Sequence, residues 1–335
     1  MTTSIRALST SDAAGSDTRR PLYVDVAALL HGGLPEPLAP SLLRRQDGRA
    51  LFYAGKVNVL FGDPEGGKTM IAIAACVEAL NAGHRATVLD VDHNGPIEII
   101  SRLVLLGANP AQLADPARFR LHEPEDEGEL RAVVTSMRQW NPDVAVVDSL
   151  GEIIPMLGLS SNSPDDYSTA HRAVLTALAD TGAAVIGVDH LPKGEAARAH
   201  GQTGTVAKRR AINGVSLRVA LLEPFVPGRG GVAALQVHKD RPGGLRAHCP
   251  VGGKHQPAGR FVMTAHDNGA TSWHITAASG VPDATTGISA PADDITELDA
   301  LDPEPTSVRD VKIRLNWGSG RATKALAAWK EQRSA

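Results

Sequence analysis

The sequence predicts an α/β protein built on a mostly parallel sheet with helices on both faces. Three observations carry that expectation. The apolar runs VNVLF (57–61), ATVLDVD (86–92), VAVVD (144–148) and AVIGVDH (184–190) are nearly continuous rather than alternating, as strands buried on both faces read. Amphipathic stretches such as TMIAIAACVEALNAG and SPDDYSTAHRAVLTALADTG lie between them, giving the strand–helix alternation of a layered fold. The first run leads straight into a Gly-rich turn and then into the first of those helices.

Each element follows in order. Residues 1–20 are rich in Ser, Thr, Ala and Asp and are expected to be disordered. From Pro21 the chain carries a helix-like apolar piece (Val24–Leu30) and the Pro-rich loop GGLPEPLAP. The α/β domain is expected to run over 21–280. Its later helix opens on Ser163, Pro164, Asp165 and Asp166: a cap, a first-turn proline, then acids at the positive helix end. A fifth strand is expected at AALQVHKD (233–240). Beyond Lys239, GRFVMTAHDNGATSWHITA holds two alternating runs around Asn-Gly, a hairpin signal. Residues 281–305 read as an acidic Pro/Ala-rich linker. Helical periodicity returns from Thr306 to the end, as two short basic pieces around GSG. This tail resembles part of a helix-turn-helix DNA binder; a basic tail packing on a partner is the other reading. There are no internal repeats.

Composition excludes several classes. The 335 residues are 42% hydrophobic and 21% charged, enough for a buried core and too apolar for a wholly disordered chain. A formal net charge of −3 rules out nucleic-acid binding by bulk positive charge and leaves only local patches. Aromatics at 4% argue against a base-stacking platform as the main device. Two cysteines, Cys76 and Cys249, cannot make a disulfide framework; Cys249 with His248 and His255 is a weak zinc pattern. No apolar run reaches the roughly 18 residues of a spanning helix. The first twenty residues hold no apolar stretch after their charges, so no secretory signal is read. A soluble cytoplasmic protein without membrane contact is expected.

The chemistry concentrates at strand ends. Gly62, Asp63, Pro64, Glu65, Gly66, Gly67, Lys68 and Thr69 fit G-x-x-x-x-G-K-[ST] between a buried-type strand and an amphipathic helix. Glycines let backbone N–H groups approach phosphate oxygens, and the helix start adds its positive end. Lys68 is expected on the β/γ-phosphates and the Thr69 hydroxyl on Mg²⁺. In parallel sheets ligands sit beyond the carboxyl ends of the strands. Asp148, ending VAVVD, suits a second Mg²⁺ ligand. Asp90 and Asp92 close the second core strand and, with period two, point to one face; Asp92 is the first choice to polarise an attacking water, with Asp90 and Glu152 as competitors. His190 ends AVIGVDH and suits a γ-phosphate sensor. Lys239 and Arg241 lie two apart on one strand face. Lys208, Arg209 and Arg210 are the densest positive run in the chain; a solvated helix face is the plainer account of them.

The order GDPEGGKT, VLDVDHN, VAVVDSLGE, VIGVDHLPKG and HKDRPGG resembles RecA-like P-loop ATPases of the RepA and DnaB helicase type, and most of all the AAA-family, RepA-like ATPases of actinobacterial genomes, phages and mobile elements. The resemblance covers about 21–280. It implies a RecA-like core that binds ATP and Mg²⁺ and hydrolyses ATP. The catalytic base of such proteins, usually Glu, falls on Asp90 or Asp92. His190 matches the γ-phosphate sensor. Lys239 and Arg241 look like the K-x-R element that reaches the ATP of the neighbouring copy in a ring, here suspected to be a hexamer. Loops after the sensor strand face single-stranded DNA in such rings, which places Lys208, Arg209 and Arg210 on nucleic acid. The function expected is thus a DNA motor, in the first instance a replicative helicase of a mobile element. A non-unwinding recombination or regulatory ATPase, and a nucleotide-switched interaction module with slow hydrolysis, are the alternatives.

Overall fold

The computed structural model describes residues 23–31, 36–191, 206–251, 255–267, 269–277, 292–315, 317 and 319–333. The expected disordered start, residues 192–205 of the basic stretch and the first half of the expected linker lie outside the described residues. The chain divides into two units, Met1–Glu36 and Pro37–Ala335. In the first, helix α1 (Val26–His31) buries none of its residues, and the Asp25 carboxylate accepts the Ala28 N–H at 2.9 Å.

In the second unit β1 (Leu42–Arg44) and β2 (Ala50–Phe52) pair antiparallel. The main sheet has nine strands: β3 (Val57–Gly62), β4 (Ala86–Asp90), β5 (Phe119–His122), β6 (Val144–Asp148), β7 (Ala184–His190), β8 (Val215–Val226), β9 (Gly230–Asp240), β10 (Gln256–Ala265) and β11 (Thr271–Thr276). Their spatial order is β11-β10-β9-β8-β3-β7-β6-β4-β5. From β8 to β5 all neighbours run parallel. The last three strands fold back as an antiparallel wing.

Every residue of β3, β4 and β6 is buried, because both sheet faces are covered. On one face α2 (Lys68–Asn81) and α3 (Pro96–Leu105) bring Ile71, Ile73, Ile99 and Leu103 onto Leu60, Val88 and Val146. The short α4 (Pro110–Leu113) follows. On the other face α5 (Glu127–Trp140), α6 (Leu150–Met156) and α7 (Pro164–His171) bring Leu130, Ile153 and Tyr167 onto Val59, Val147 and Val185. The Ser163 hydroxyl caps α7 by accepting the Asp166 N–H, as its sequence foretells. That helix continues through a π-helical stretch, Arg172–Thr176, into α8 (Ala177–Ala179). Helix α9 (Val206–Ala211) leads back to β8.

Three local expectations change. The second core strand stops at Asp90 rather than Asp92, since the Asp90 carboxylate accepts the N–H groups of Asn94 and Gly95; Asp90 and Asp92 therefore do not share a strand face. Strand β8 is present where none was expected: its outer half, Leu221–Val226, is largely exposed and broken by Glu223 and Pro224. Residues 292–299 of the expected linker form helix α10 (Ala292–Asp299). The hairpin falls where Asn-Gly places it, with Ala265 opposite Thr271 and Gly269 at φ 78°. After α10 come α11 (Val308–Leu315) and α12 (Ser319–Gln332), which share a small core with it. No helix among the described residues is long and apolar enough to cross a membrane.

Candidate nucleotide-binding site

The site is assembled where β3, β4, β6 and β7 end. Strand β3 closes on Gly62, where a Cβ would stand 2.3 Å from the Val219 carbonyl oxygen; no other residue fits against β8 there. The chain then turns through Glu65 (φ 59°) and Gly67 (φ 86°), both left-handed, and Gly66 N–H donates to the Asp63 carbonyl. Helix α2 begins at once, and no side chain caps its first turn. Its leading N–H groups are thus available to an anion, helped by the helix dipole. A Cβ on Gly67 would meet the Phe225 ring at 2.4 Å, so the loop and the β8–β9 hairpin approach closely.

A cavity of about 480 Å³ opens over this loop, bounded by Pro64–Met70, Asp92, Asn94, Arg102, Asp148, His190, Phe225 and Pro227 among others. Asp148, only 2% exposed, accepts the Thr69 hydroxyl at 2.6 Å. Burial pushes its carboxyl up from the ordinary value; the Thr69 bond opposes this, and the charges of Asp92 and Asp90 add to it. A buried hydroxyl–carboxylate pair beside an anion nest is a hard-oxygen donor set suited to Mg²⁺ on a triphosphate. Lys68 is also buried, its Nζ donating to the Asp63 carbonyl at 2.6 Å. Burial lowers its ammonium from the ordinary value, against the pull of Asp148 and Asp63.

The remaining strand-end groups divide sharply. Asp92 is exposed and borders the cavity, with Ser149 Oγ donating to it at 3.5 Å. Asp90 is fully buried and occupied by Asn94 and Gly95, so it is held away from any water. Glu152 is exposed on the first turn of α6 and does not border the cavity. His190 pairs level with Gly62 across β3 and β7 and borders the cavity.

Two basic residues are placed differently from expectation. Lys208 is 5% exposed, its Nζ 3.1 and 3.2 Å from the oxygens of Asp189, itself 1% exposed. It is a buried ion-pair partner, not a surface contact for nucleic acid; Arg209 and Arg210 beside it are exposed. Lys239 donates to the carbonyls of Arg209, Arg210 and Ile212 at 2.6, 3.1 and 2.6 Å. That closes the C-terminus of α9, which occupies the ammonium within its own chain rather than extending it to a neighbour. Arg241 is exposed. Lys239 pairs with Ser216, which is level with Val59 near the start of β3. Arg241 therefore lies at the opposite end of the sheet from the phosphate loop, about 16 Å along the strand direction from Gly62.

Sequence reasoning missed Asn94, Arg102, Phe225 and Pro227 on the cavity wall. Phe225 belongs to the strand that was not foreseen, and Arg102 is one basic residue on an amphipathic helix, so neither carried a local signal. Among the described residues no cluster of His, Cys, Asp and Glu could hold a metal ion by itself; His255 stacks on His238 with ring centroids 3.7 Å apart.

Residues 45–196 match the model of a protein family described as an AAA domain. No curated protein matches the chain. Among solved structures, a KaiC-like protein from the hyperthermophilic archaeon Pyrococcus horikoshii OT3 is similar at 15% identity and a TM-score of 0.48, over 72% of this chain and 99% of that one. The matched family segment spans β2 to β7 and holds the phosphate loop, Asp92, Asp148 and His190. The segment of the chain that is similar to an AAA domain thus lies on the mostly parallel part of the α/β sheet and includes the phosphate loop.

Proposed function

We propose that this protein is a Mg²⁺-dependent, ATP-hydrolysing motor of the RecA-like type that works on DNA as a ring of identical copies. The observation that carries the hydrolytic part is the 2.6 Å contact between Thr69 and Asp148 beneath a nucleotide-sized cavity. In this reading the loop 62–69 cradles the phosphates and Lys68 neutralises them. Mg²⁺, held by Thr69 and Asp148, would stabilise the charge that develops as the terminal phosphate leaves. Asp92, at the open edge, orients the attacking water and accepts its proton. His190 donates to the terminal phosphate and transmits its loss along β7.

Among the described residues Lys68 and Arg102 are the Lys and Arg side chains on the cavity wall, and Arg241 cannot add a further cation from its own copy across about 16 Å of strand. A neighbouring copy can. The turn that bears Arg241 is stiffly held: Asp240 accepts the Tyr53 hydroxyl and the N–H groups of Gly243 and Arg246. An exposed guanidinium on a held turn suits action in trans. Arg209 and Arg210 lie on the same corner, through Lys239. They serve as the single-stranded DNA contact of the ring, or one of them replaces Arg241 in trans. A replicative helicase of a mobile element is the specific role that fits these parts. The shorter reach of Asp92 favours one other reading, a nucleotide-switched module with slow turnover.

The test is ATP turnover with and without single-stranded DNA, run beside native mass spectrometry. Rings and DNA-stimulated turnover are expected, and Arg241→Ala is expected to be rescued in mixed rings. A monomer that does not retain a non-cleavable ATP analogue with Mg²⁺ refutes the proposal; slow, DNA-indifferent turnover selects the switch.

A further inference from the structure

The C-terminal helices form a unit with its own core. Leu298 of α10, Val311 of α11, and Leu326 and Trp329 of α12 are buried together with Trp317, which sits in the connection between α11 and α12. That connection spans only 316–318. Ala322 and Ala325, both fully buried, are small enough to bring α12 close onto its partners. Three helices around one small core, the last two separated by three residues in sequence, have the helix content of a helix-turn-helix unit.

Charge is divided along this unit. Residues 292–305 carry six Asp and Glu and no Lys or Arg, whereas 306–335 carry seven Lys and Arg and two Asp and Glu. The acidic side is engaged internally. Asp299 accepts the Trp329 indole N–H, and Arg333 bridges Asp299 and Glu304. Arg314 donates to the Pro303 carbonyl. Arg309 and Lys312 on α11, and Thr323, Ala327 and Lys330 on α12, are exposed. Helix α12 has 14 residues, so it is about 21 Å long, and a helix of ordinary width fits the ~12 Å major groove of duplex DNA. Thr323 and Ala327 are short, so the helix backbone can approach base edges there.

We infer that this three-helix unit is a duplex-DNA-binding module, with α12 as the element that enters the major groove and Lys312 and Lys330 on the flanking phosphates. It is separate from the nucleotide cavity and does not depend on turnover or on the ring. Its partner is the double helix, whereas the motor reading concerns a single strand. The unit would hold the protein on duplex DNA while the α/β domain acts.

The experiment titrates the full chain against a fluorescein-labelled duplex over a salt series, beside Lys312→Glu/Lys330→Glu and the milder Lys312→Gln/Lys330→Gln. Circular dichroism and basal ATP turnover monitor the fold. The full chain is expected to retain the duplex with a steep salt dependence. Loss of two phosphate contacts is expected to make the slope of log K on log salt shallower by about 1.8, with turnover unchanged. A single strand of equal length, tested in parallel, is expected to bind both variants as it binds the parent. No duplex retention, an unchanged slope in both variants, or an equal loss on the single strand would overturn the assignment. Loss of duplex binding with single-strand binding intact supports it even if the ring or the turnover fails.

Discussion

Lys208→Met discriminates between a structural and a DNA-contacting lysine. Its Nζ lies 3.1 Å from Asp189, with the two side chains 6% and 2% exposed, and 5.8 Å from the Tyr167 ring. A methionine keeps the volume and removes the charge, leaving the Asp189 carboxylate buried without its ammonium. Breaking a buried pair in this way costs about 3–5 kcal/mol, a fifth or more of an ordinary domain's stability of about 5–15 kcal/mol. Burial already pushes Asp189 up, and Lys208 is the largest influence holding it down. Without Lys208 the carboxyl rises further and takes up a proton in the folded state first. The variant's deficit is then smallest on the acid side and grows as pH rises. Asp189→Asn in the same chain removes the stranded charge and keeps an acceptor for the His190 N–H, now 2.9 Å from the carboxylate; it is expected to return most of the loss. The assay is urea unfolding of the single and double variants at acidic and neutral pH, with the salt slope of single-stranded DNA binding measured alongside. A loss below about 1 kcal/mol, accompanied by a shallower salt slope, would refute the buried pair and restore Lys208 to the DNA-binding surface.

Three further outcomes are expected. Lys68→Ala abolishes ATP turnover while the unfolding midpoint is kept; turnover at the parent rate excludes the loop at 62–69 as the phosphate site. Gly67→Ala weakens nucleotide binding at least tenfold, since the left-handed backbone costs about 1–2 kcal/mol and the new Cβ meets Phe225 at 2.4 Å; Phe225→Ala in the same chain recovers only the steric part, as a fluorescent nucleotide titration would show. His171, buried beside Leu150 and Tyr167, has its imidazole lowered from 6.5 to about 4, chiefly by burial. The unfolded chain takes up that proton first, so stability falls as pH drops from 6.5 towards 4, by about 2 kcal/mol at pH ~5; His171→Leu should flatten that part of the unfolding profile, and an unchanged profile assigns the loss elsewhere.

Much of the parallel sheet was legible because burial on both faces leaves a one-dimensional trace. VNVLF and VAVVD have no polar residue to hide the pattern except Asn58 and the terminal Asp148, and Asn58 is buried on the carbonyls of Tyr53, Lys56 and Val185. β8 left no such trace. Its inner half lies against β3, its outer half stands in solvent, and neither the continuous nor the alternating pattern spans it. The phosphate loop was legible because its contacts are local in sequence. Phe225, in contrast, reaches Gly67 only through the sheet order. Charge density misled at Lys208, and strand spacing and resemblance misled at Lys239, for one reason: neither signal specifies the partners that consume the charge, Asp189 and the end of α9, which are set by tertiary packing.

The two acids after β4 show how one turn separates a structural carboxylate from a chemical one. Asp90 accepts from Asn94 and Gly95, closing the loop before α3 and fixing where that helix begins. With both ends of the turn held, Val91 stays in the core while Asp92 and His93 are exposed, and His93 takes the left-handed backbone at φ 52°. The N–H groups of Val91 and Asp92 both turn to the Asp148 carbonyl, at 2.5 and 2.9 Å. Asp148 thus acts twice: its side chain holds Thr69, and its backbone sets the position of Asp92. The proposed metal ligand and the proposed base are therefore referenced to one residue. A fixed reference of that kind matters more with an aspartate than with a glutamate, because the shorter side chain has less reach to correct an error in its backbone.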